Sequence, residues 1–292
     1  MADQDAIKIP KHFGLDQPMK KRNFHVKGMD DVDWGMKTRL SKIFDPLSGH
    51  TVMLAFDHGY IMGPTQGLER IDLAIPPLQD YADVLMATRG ALRTCIRPDH
   101  GNAIALRCSA GSSVLQEDMS KEIIGVNVEE AIRMNATCMA IQAFIGSENE
   151  CQSIENIVRT VDAGNRYGIP TLGVVAVGKD MERTNKYFSL ATRMLAEFGV
   201  QIVKVYYCDN FEAVTAACPV PIVIAGGKKV PEQEALEITY QAIQKGAAGV
   251  DMGRNVFKAA NPVAMIQSIR KVVHEKFTGT EAFEFYTDLS SR

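Results

Sequence analysis

Residues 201–229, QIVKVYYCDNFEAVTAACPVPIVIAGGKK, decide how the whole chain is read. Two apolar runs, 201–206 and 220–225, are joined by a stretch suited to a short helical turn. Short runs that are apolar on both faces read as buried parallel strands. Lys204 interrupts the first run among Ile202, Val203, Val205 and Tyr206. Burying an ammonium in such a strand is costly, so the position favours a free, nucleophilic amine. The second run ends in Gly226-Gly227-Lys228-Lys229, a glycine pair with backbone N–H groups to offer, followed by two cations. An amine one strand away from such an anion cradle points to carbonyl chemistry on a phosphorylated substrate. The competing reading is a lysine snorkelling from a strand end beside an ordinary glycine turn.

The same pattern repeats outward along the chain. Apolar runs at 52–56, 84–87, 103–106, 139–144, 171–177 and 248–252 join the two above. Helical patterns lie between most of them. The clearest spans 231–246, with proline first, glycine last, and Leu236, Tyr240 and Ile243 spaced i, i+4, i+7. Another opens at Asn261-Pro262 and carries Ile266, Ile269 and Val273. Eight buried runs alternating with helices predict a (β/α)8 TIM barrel over residues 51–275, in preference to an open doubly wound sheet. Residues 1–50 read as an N-terminal extension. Within it Asp33 caps a helix with Met36, Leu40, Ile43 and Phe44 on one face, placed to cover a barrel end or meet another subunit. Lys20-Lys21-Arg22 reads as a solvated run, and residues 276–292 as a C-terminal tail.

Composition narrows the partners. A net charge of −3 gives no electrostatic reason for binding nucleic acid or an acidic membrane surface. No apolar run approaches the ~20 residues that span a bilayer, and the first residues lack the apolar core of a secretory signal. The 6 cysteines form no C-x-x-C, which suits reduced thiols in a cytoplasmic enzyme better than a disulfide framework. No metal-ligand constellation and no G-x-G-x-x-G fingerprint appear, so a lysine-dependent mechanism without metal or bound cofactor is the simplest chemistry.

In a barrel of this kind the chemistry gathers at the C-terminal strand ends. Strand one ends in Asp57-His58, an acid and an imidazole suited to proton transfer or substrate orientation. Each has a structural alternative, as a turn cap or a packed loop residue. Gly226, Gly227 and Lys228 after strand seven, with Gly253 and Arg254 after strand eight, fit a phosphate site. Arg89 and Arg107 can line a polar pocket or serve as paired structural arginines. Glu148 reads as a helix-start acid. Cys208 can face the cavity, but no electropositive neighbour marks it as a nucleophile. The fifth strand runs into Val177-Gly178-Lys179-Asp180, which offers no aromatic hydroxyl.

Taken together, VMLAFDHGYIMGPTQGLERID (52–72), QIVKVYY (201–207), PVPIVIAGGKK (219–229) and GVDMGRNVF (249–257) resemble the class I, Schiff-base aldolase family of the archaeal-type fructose-bisphosphate aldolase/DeoC group. DWGMKTRLSKIF (33–44) and YFSLATRMLAEFG (187–199) narrow the likeness to a thiolytic branch of it. The resemblance covers residues from about 15 to 285. It implies a barrel assembled into a homodecamer, Lys204 as the imine-forming lysine, Asp57 as the strand-one acid, and Gly227 with Gly253-Arg254 on the substrate phosphate. For the narrower branch it implies acetyl transfer from 3-hydroxy-5-phosphonooxypentane-2,4-dione to coenzyme A as co-substrate, in autoinducer-2 breakdown. The products would be acetyl-CoA and dihydroxyacetone phosphate. Nothing in the residues themselves marks a coenzyme A site. One departure matters: aldolases of the family carry a tyrosine at the end of strand five, where this chain reads Val175-Ala176-Val177-Gly178. Two alternatives stand beside this reading: an aldolase or transaldolase acting on another sugar phosphate, and a non-catalytic sugar-phosphate-binding protein.

Overall fold

A computed structural model describes residues 13–18, 24–177 and 182–291 of the 292. The strands are β1 Thr51–Ala55, β2 Val84–Ala87, β3 Ala103–Arg107, β4 Ser109–Gly111 and β5 Glu122–Ile124. They continue with β6 Cys138–Ala143, β7 Thr171–Val175, β8 Ile202–Tyr206, β9 Ile222–Ala225 and β10 Gly249–Met252. Eight of them close into a parallel barrel in the order β1-β10-β9-β8-β7-β6-β3-β2. All eight runs singled out in the sequence are barrel strands. They stood out because strands buried by side chains inside and helices outside are apolar nearly throughout; β1 and β2 are buried at every position.

The helices are α1 Trp34–Ile43, α2 Gly59–Met62, α3 Ile71–Ala74, α4 Arg89–Cys95, α5 Val128–Arg133 and α6 Glu150–Tyr167. They continue with α7 Asn185–Glu197, α8 Phe211–Ala217, α9 Glu232–Gln244, α10 Arg254–Phe257, α11 Pro262–Glu275 and α12 Gly279–Ser290. Asp33 caps α1 by accepting the Met36 N–H at 2.8 Å, and Met36, Leu40 and Ile43 are buried beneath it. Arg39 donates to the carbonyl of Gly168 at 3.0 Å, tying α1 to the α6–β7 turn. That turn lies at the N-terminal end of the strands, so α1 covers the barrel end remote from the strand termini that carry chemistry.

Two features depart from the sequence expectation. The C-terminal tail is a helix: α12 begins with a capping box of Thr278 and Glu281 and packs on α9 and α11, burying Ala282 and Tyr286. Phe283 and Leu289 pack against the core beside them, so the tail folds as part of the barrel's outer layer. Between β3 and α5 the chain also inserts an antiparallel hairpin, β4 with β5, outside the barrel order. Its strands of three residues are too short to leave a periodic signature.

Candidate active site

The ends of β1, β3, β7, β8, β9 and β10 contribute to one cavity of about 220 Å³. Lys204, 8% exposed, reaches it from β8, where it is registered between Val174 of β7 and Val223 of β9. Strand alternation puts Tyr206 on the same inward face and turns Val203 and Val205 outward. The lysine is therefore not surrounded by apolar groups alone, as its sequence neighbours suggested. Its Nζ stands 2.8 Å from Oδ2 of Asp251 on β10 and 3.4 Å from Sδ of Met86 on β2.

Asp251 is 1% exposed, and its burial raises its pKa against the opposing attraction of Lys204. The contact is close but poorly directed, for neither Asp251 oxygen accepts an aligned hydrogen bond among the described residues. A carboxylate so placed can take a proton from the lysine or return one as the amine attacks a carbonyl. The sequence signal for Asp251 was available: an acid inside the apolar strand G-V-D-M is as anomalous as the lysine in I-V-K-V-Y.

Asp57, at the end of β1, meets Arg107 from β3, with Nε and Nη2 both 2.6 Å from Oδ2. Burial works to raise the Asp57 pKa, but the charges of Arg107 and Lys204 and the Arg107 hydrogen bond prevail and hold it low. Asp57 is thus an ionised carboxylate neutralised by its own arginine. Of the two readings of Arg107, both hold: it is paired and it lines the cavity. His58 also lines the cavity, with Nε2 2.9 Å from Oγ1 of Thr65 and its ring stacked on Phe257 at 5.7 Å between centroids. Burial is the main cause that lowers its pKa; Arg254, Lys258 and Lys204 add to it, while Asp57 opposes. The imidazole is neutral at neutral pH and held by its two neighbours.

Gly226, Gly227, Gly253 and Arg254 also line the cavity. Buried Asn255 fastens the two loops together, donating Nδ2–H to the Gly226 carbonyl at 2.6 Å and accepting the Val230 N–H at 3.0 Å. Gly253 runs so close to β1 that a Cβ there would sit 2.1 Å from the Ala55 carbonyl oxygen, which only glycine allows. Arg254 is half-buried and, among the described residues, has neither an ion pair nor a side-chain hydrogen bond. A half-buried guanidinium without a carboxylate is suited to an incoming anion.

Lys228 is a different matter. It is exposed and does not line the cavity, because the chain turns at Gly227 (φ +67°) and directs the next side chain to solvent. Lys229 is occupied with Glu232 at 3.0 Å. The rim gains instead Arg183, whose guanidinium lies 3.9 Å over the Tyr206 ring; nothing in its own neighbours marks it in the sequence. Arg89 and Glu148 are exposed and lie away from the cavity. Cys208 is buried outside it, with its thiol pushed up to about 11 chiefly by burial, so it is no nucleophile at neutral pH. Gly178, Lys179 and Asp180, like Lys20-Lys21-Arg22, lie outside the described residues. At the end of β7, Val174 and Val175 line the cavity. Among the described residues no three His, Cys, Asp or Glu side chains are grouped to hold a metal ion. No helix among them is long and apolar enough to cross a membrane.

A parallel barrel with a buried lysine and acid on neighbouring inner faces, open to a glycine-lined cavity, defines an aldolase-type site. Residues 51–259 match the model of the DeoC/LacD family of aldolases, and the chain belongs to that family. Among curated relatives, an uncharacterized aldolase of Pasteurella multocida is 56% identical over 289 residues, covering 99% of each chain. The 3-hydroxy-5-phosphonooxypentane-2,4-dione thiolase of Escherichia coli K12 is 54% identical over 287 residues, covering 98% of each. The barrel itself is similar to that of an archaeal fructose 1,6-bisphosphate aldolase, with a TM-score of 0.74 at 22% identity over 82% of this chain and 99% of that one.

Proposed function

We propose that this protein is a 3-hydroxy-5-phosphonooxypentane-2,4-dione thiolase that works through an imine on Lys204. The observation that carries the reading is the pairing of buried Lys204 with Asp251 in a cavity that is also lined by the uncommitted Arg254. With the phosphate at Arg254 and the Gly226-Gly227 turn, the carbonyl next to the phosphate-bearing carbon is the one presented to the lysine. The imine nitrogen then takes up the electron pair released when the bond to the acetyl carbon breaks. The sulfur of coenzyme A adds to the acetyl carbon before that bond breaks, so cleavage gives acetyl-CoA and an enamine on Lys204, and protonation of the enamine followed by hydrolysis releases dihydroxyacetone phosphate. Asp57 keeps Arg107 in place on the cavity wall; His58 orients substrate as a neutral donor or acceptor.

The apolar Val174 and Val175 at the end of β7 support thiolysis over aldol cleavage, since neither can supply the phenol that the family's aldolases have there. The test is direct. Purified protein with the phosphorylated dione and coenzyme A forms acetyl-CoA, and borohydride added with substrate attaches the substrate mass to the peptide containing Lys204. Lys204→Ala loses both. An adduct on another lysine, or turnover by Lys204→Ala, removes the imine; cleavage of the dione without coenzyme A removes the thiolase.

A further inference from the structure

The reaction above needs a group that moves protons. The attacking thiol must lose its S–H proton, and the enamine carbon left on the lysine must gain one. Asp57 is locked by Arg107, Asp251 is engaged with Lys204, His58 is held by Thr65 and Phe257, and the valines at the end of β7 carry no proton to give. Tyr60, one residue into α2, projects its half-buried ring into the cavity. Its hydroxyl donates to Oε1 of Glu122 at 2.6 Å. Glu122 belongs to the hairpin inserted after β3, is 2% exposed, and its other oxygen, Oε2, is buried without a partner among the described residues. Such an acid is expensive to bury and is expected to have a use.

The hairpin is built to deliver it. Gly111 stands opposite Glu122 in the β4–β5 pair, and a Cβ on residue 111 would fall 2.6 Å from the Glu122 Cγ. Asn156 of α6 donates to the Glu122 carbonyl at 2.8 Å and holds the strand from behind. Gln142 Oε1 lies 3.4 Å from the Tyr60 hydroxyl and accepts from Arg107 Nη1 at 3.3 Å, linking this pair to the Asp57–Arg107 pair.

We infer that Tyr60 is a catalytic proton-transfer residue, with Glu122 as the proton store behind it. The inference rests on the imine reading of Lys204. As the thiol sulfur adds to the acetyl carbonyl, its proton passes to Tyr60 Oη while the phenol's own proton moves to Glu122 Oε1. The bond between the acetyl carbon and its neighbour then breaks, and its electron pair enters the imine to give the enamine. Reversal of the same two hops returns one proton to the enamine carbon. One proton leaves sulfur, one arrives at carbon, and no redox partner is needed. Burial, the main cause, raises the Tyr60 pKa, as does Glu122, so the phenol acts by exchanging protons within a hydrogen bond and not as a standing phenolate.

The experiment separates proton transfer from imine formation. Wild type, Tyr60→Phe and Glu122→Gln are each given dihydroxyacetone phosphate in heavy water, and loss of the carbon-bound hydrogen signal is followed by proton NMR. Parallel samples are reduced with borohydride to measure the Lys204 adduct. Both variants should form the adduct at the wild-type level, which also shows that they fold, while hydrogen exchange and thiolytic turnover slow about 10²–10⁴-fold. Exchange at the wild-type rate in an adduct-forming Tyr60→Phe overturns the inference. If Tyr60→Phe fails to fold, the isosteric Glu122→Gln decides it by the same readout, and wild-type exchange there likewise overturns it. No adduct in the wild type removes the imine reading, and the relay with it; an adduct with undiminished exchange in the variants removes the relay alone.

Discussion

Replacing Arg254 by glutamine isolates the phosphate contact, because the structure leaves nothing else for that side chain to do. No carboxylate pairs with it among the described residues, so its removal orphans no buried acid and fold stability should change by no more than about 0.5 kcal/mol. A charge-assisted hydrogen bond to phosphate contributes about 1.5–3 kcal/mol. At about 1.4 kcal/mol per tenfold, that predicts binding of dihydroxyacetone phosphate weakened by about 10- to 150-fold, read by titration calorimetry. A second readout comes from His58. Arg254 is one of the charges that lower its pKa, so the variant should shift the His58 titration upward in NMR. Unphosphorylated dihydroxyacetone at saturating concentration should still be trapped on Lys204 by borohydride. Unchanged affinity for the phosphorylated ketone would place the anion elsewhere. A melting temperature lowered by many degrees would show instead that Arg254 holds the fold together.

Three further outcomes are expected. Arg107→Met leaves the buried Asp57 carboxylate without its partner and should destabilise the fold by about 3–5 kcal/mol in denaturant titration, whereas adding Asp57→Leu should recover most of that loss. Gly253→Ala should lower both stability and phosphate affinity, since its Cβ collides with the Ala55 carbonyl oxygen and pushes the Arg254 loop from its place; a crystal structure with an unmoved loop would refute this. Stability should decline in two stages on acidification. His50 and His58, half-buried with pKa values below the ordinary 6.5, contribute stability that is complete above that value and is lost as pH falls through their folded values. Asp57 and Asp83, held below the ordinary 3.8, contribute stability that is complete above that value and is lost at still lower pH. Melting temperatures independent of pH between 7 and 3 would contradict both signs.

What can be read from the chain alone follows from what is local in sequence. Eight apolar runs announce eight barrel strands because each is buried by layers on both sides, whatever its neighbours prove to be. Lys204 declares itself because a cation inside an apolar strand is costly, and Arg254 because it follows a glycine at a strand end. The caps at Asp33 and Asn261 are local hydrogen bonds and equally legible. Partnership across the barrel is not local. Lys204 meets Asp251 because β8 and β10 flank β9 and turn these two side chains to the same interior, a consequence of strand order and closure. Arg107 reaches Asp57 from fifty residues away for the same reason. Tyr60 finds Glu122 only because a hairpin too short to have a periodicity folds over the strand ends. Lys228, adjacent to a glycine turn and apparently ideal for an anion, is sent to solvent by the direction of that turn. Backbone preference and burial are properties of neighbouring residues, while the charge that a side chain meets depends on which strand ends converge, and that is decided only when the sheet closes.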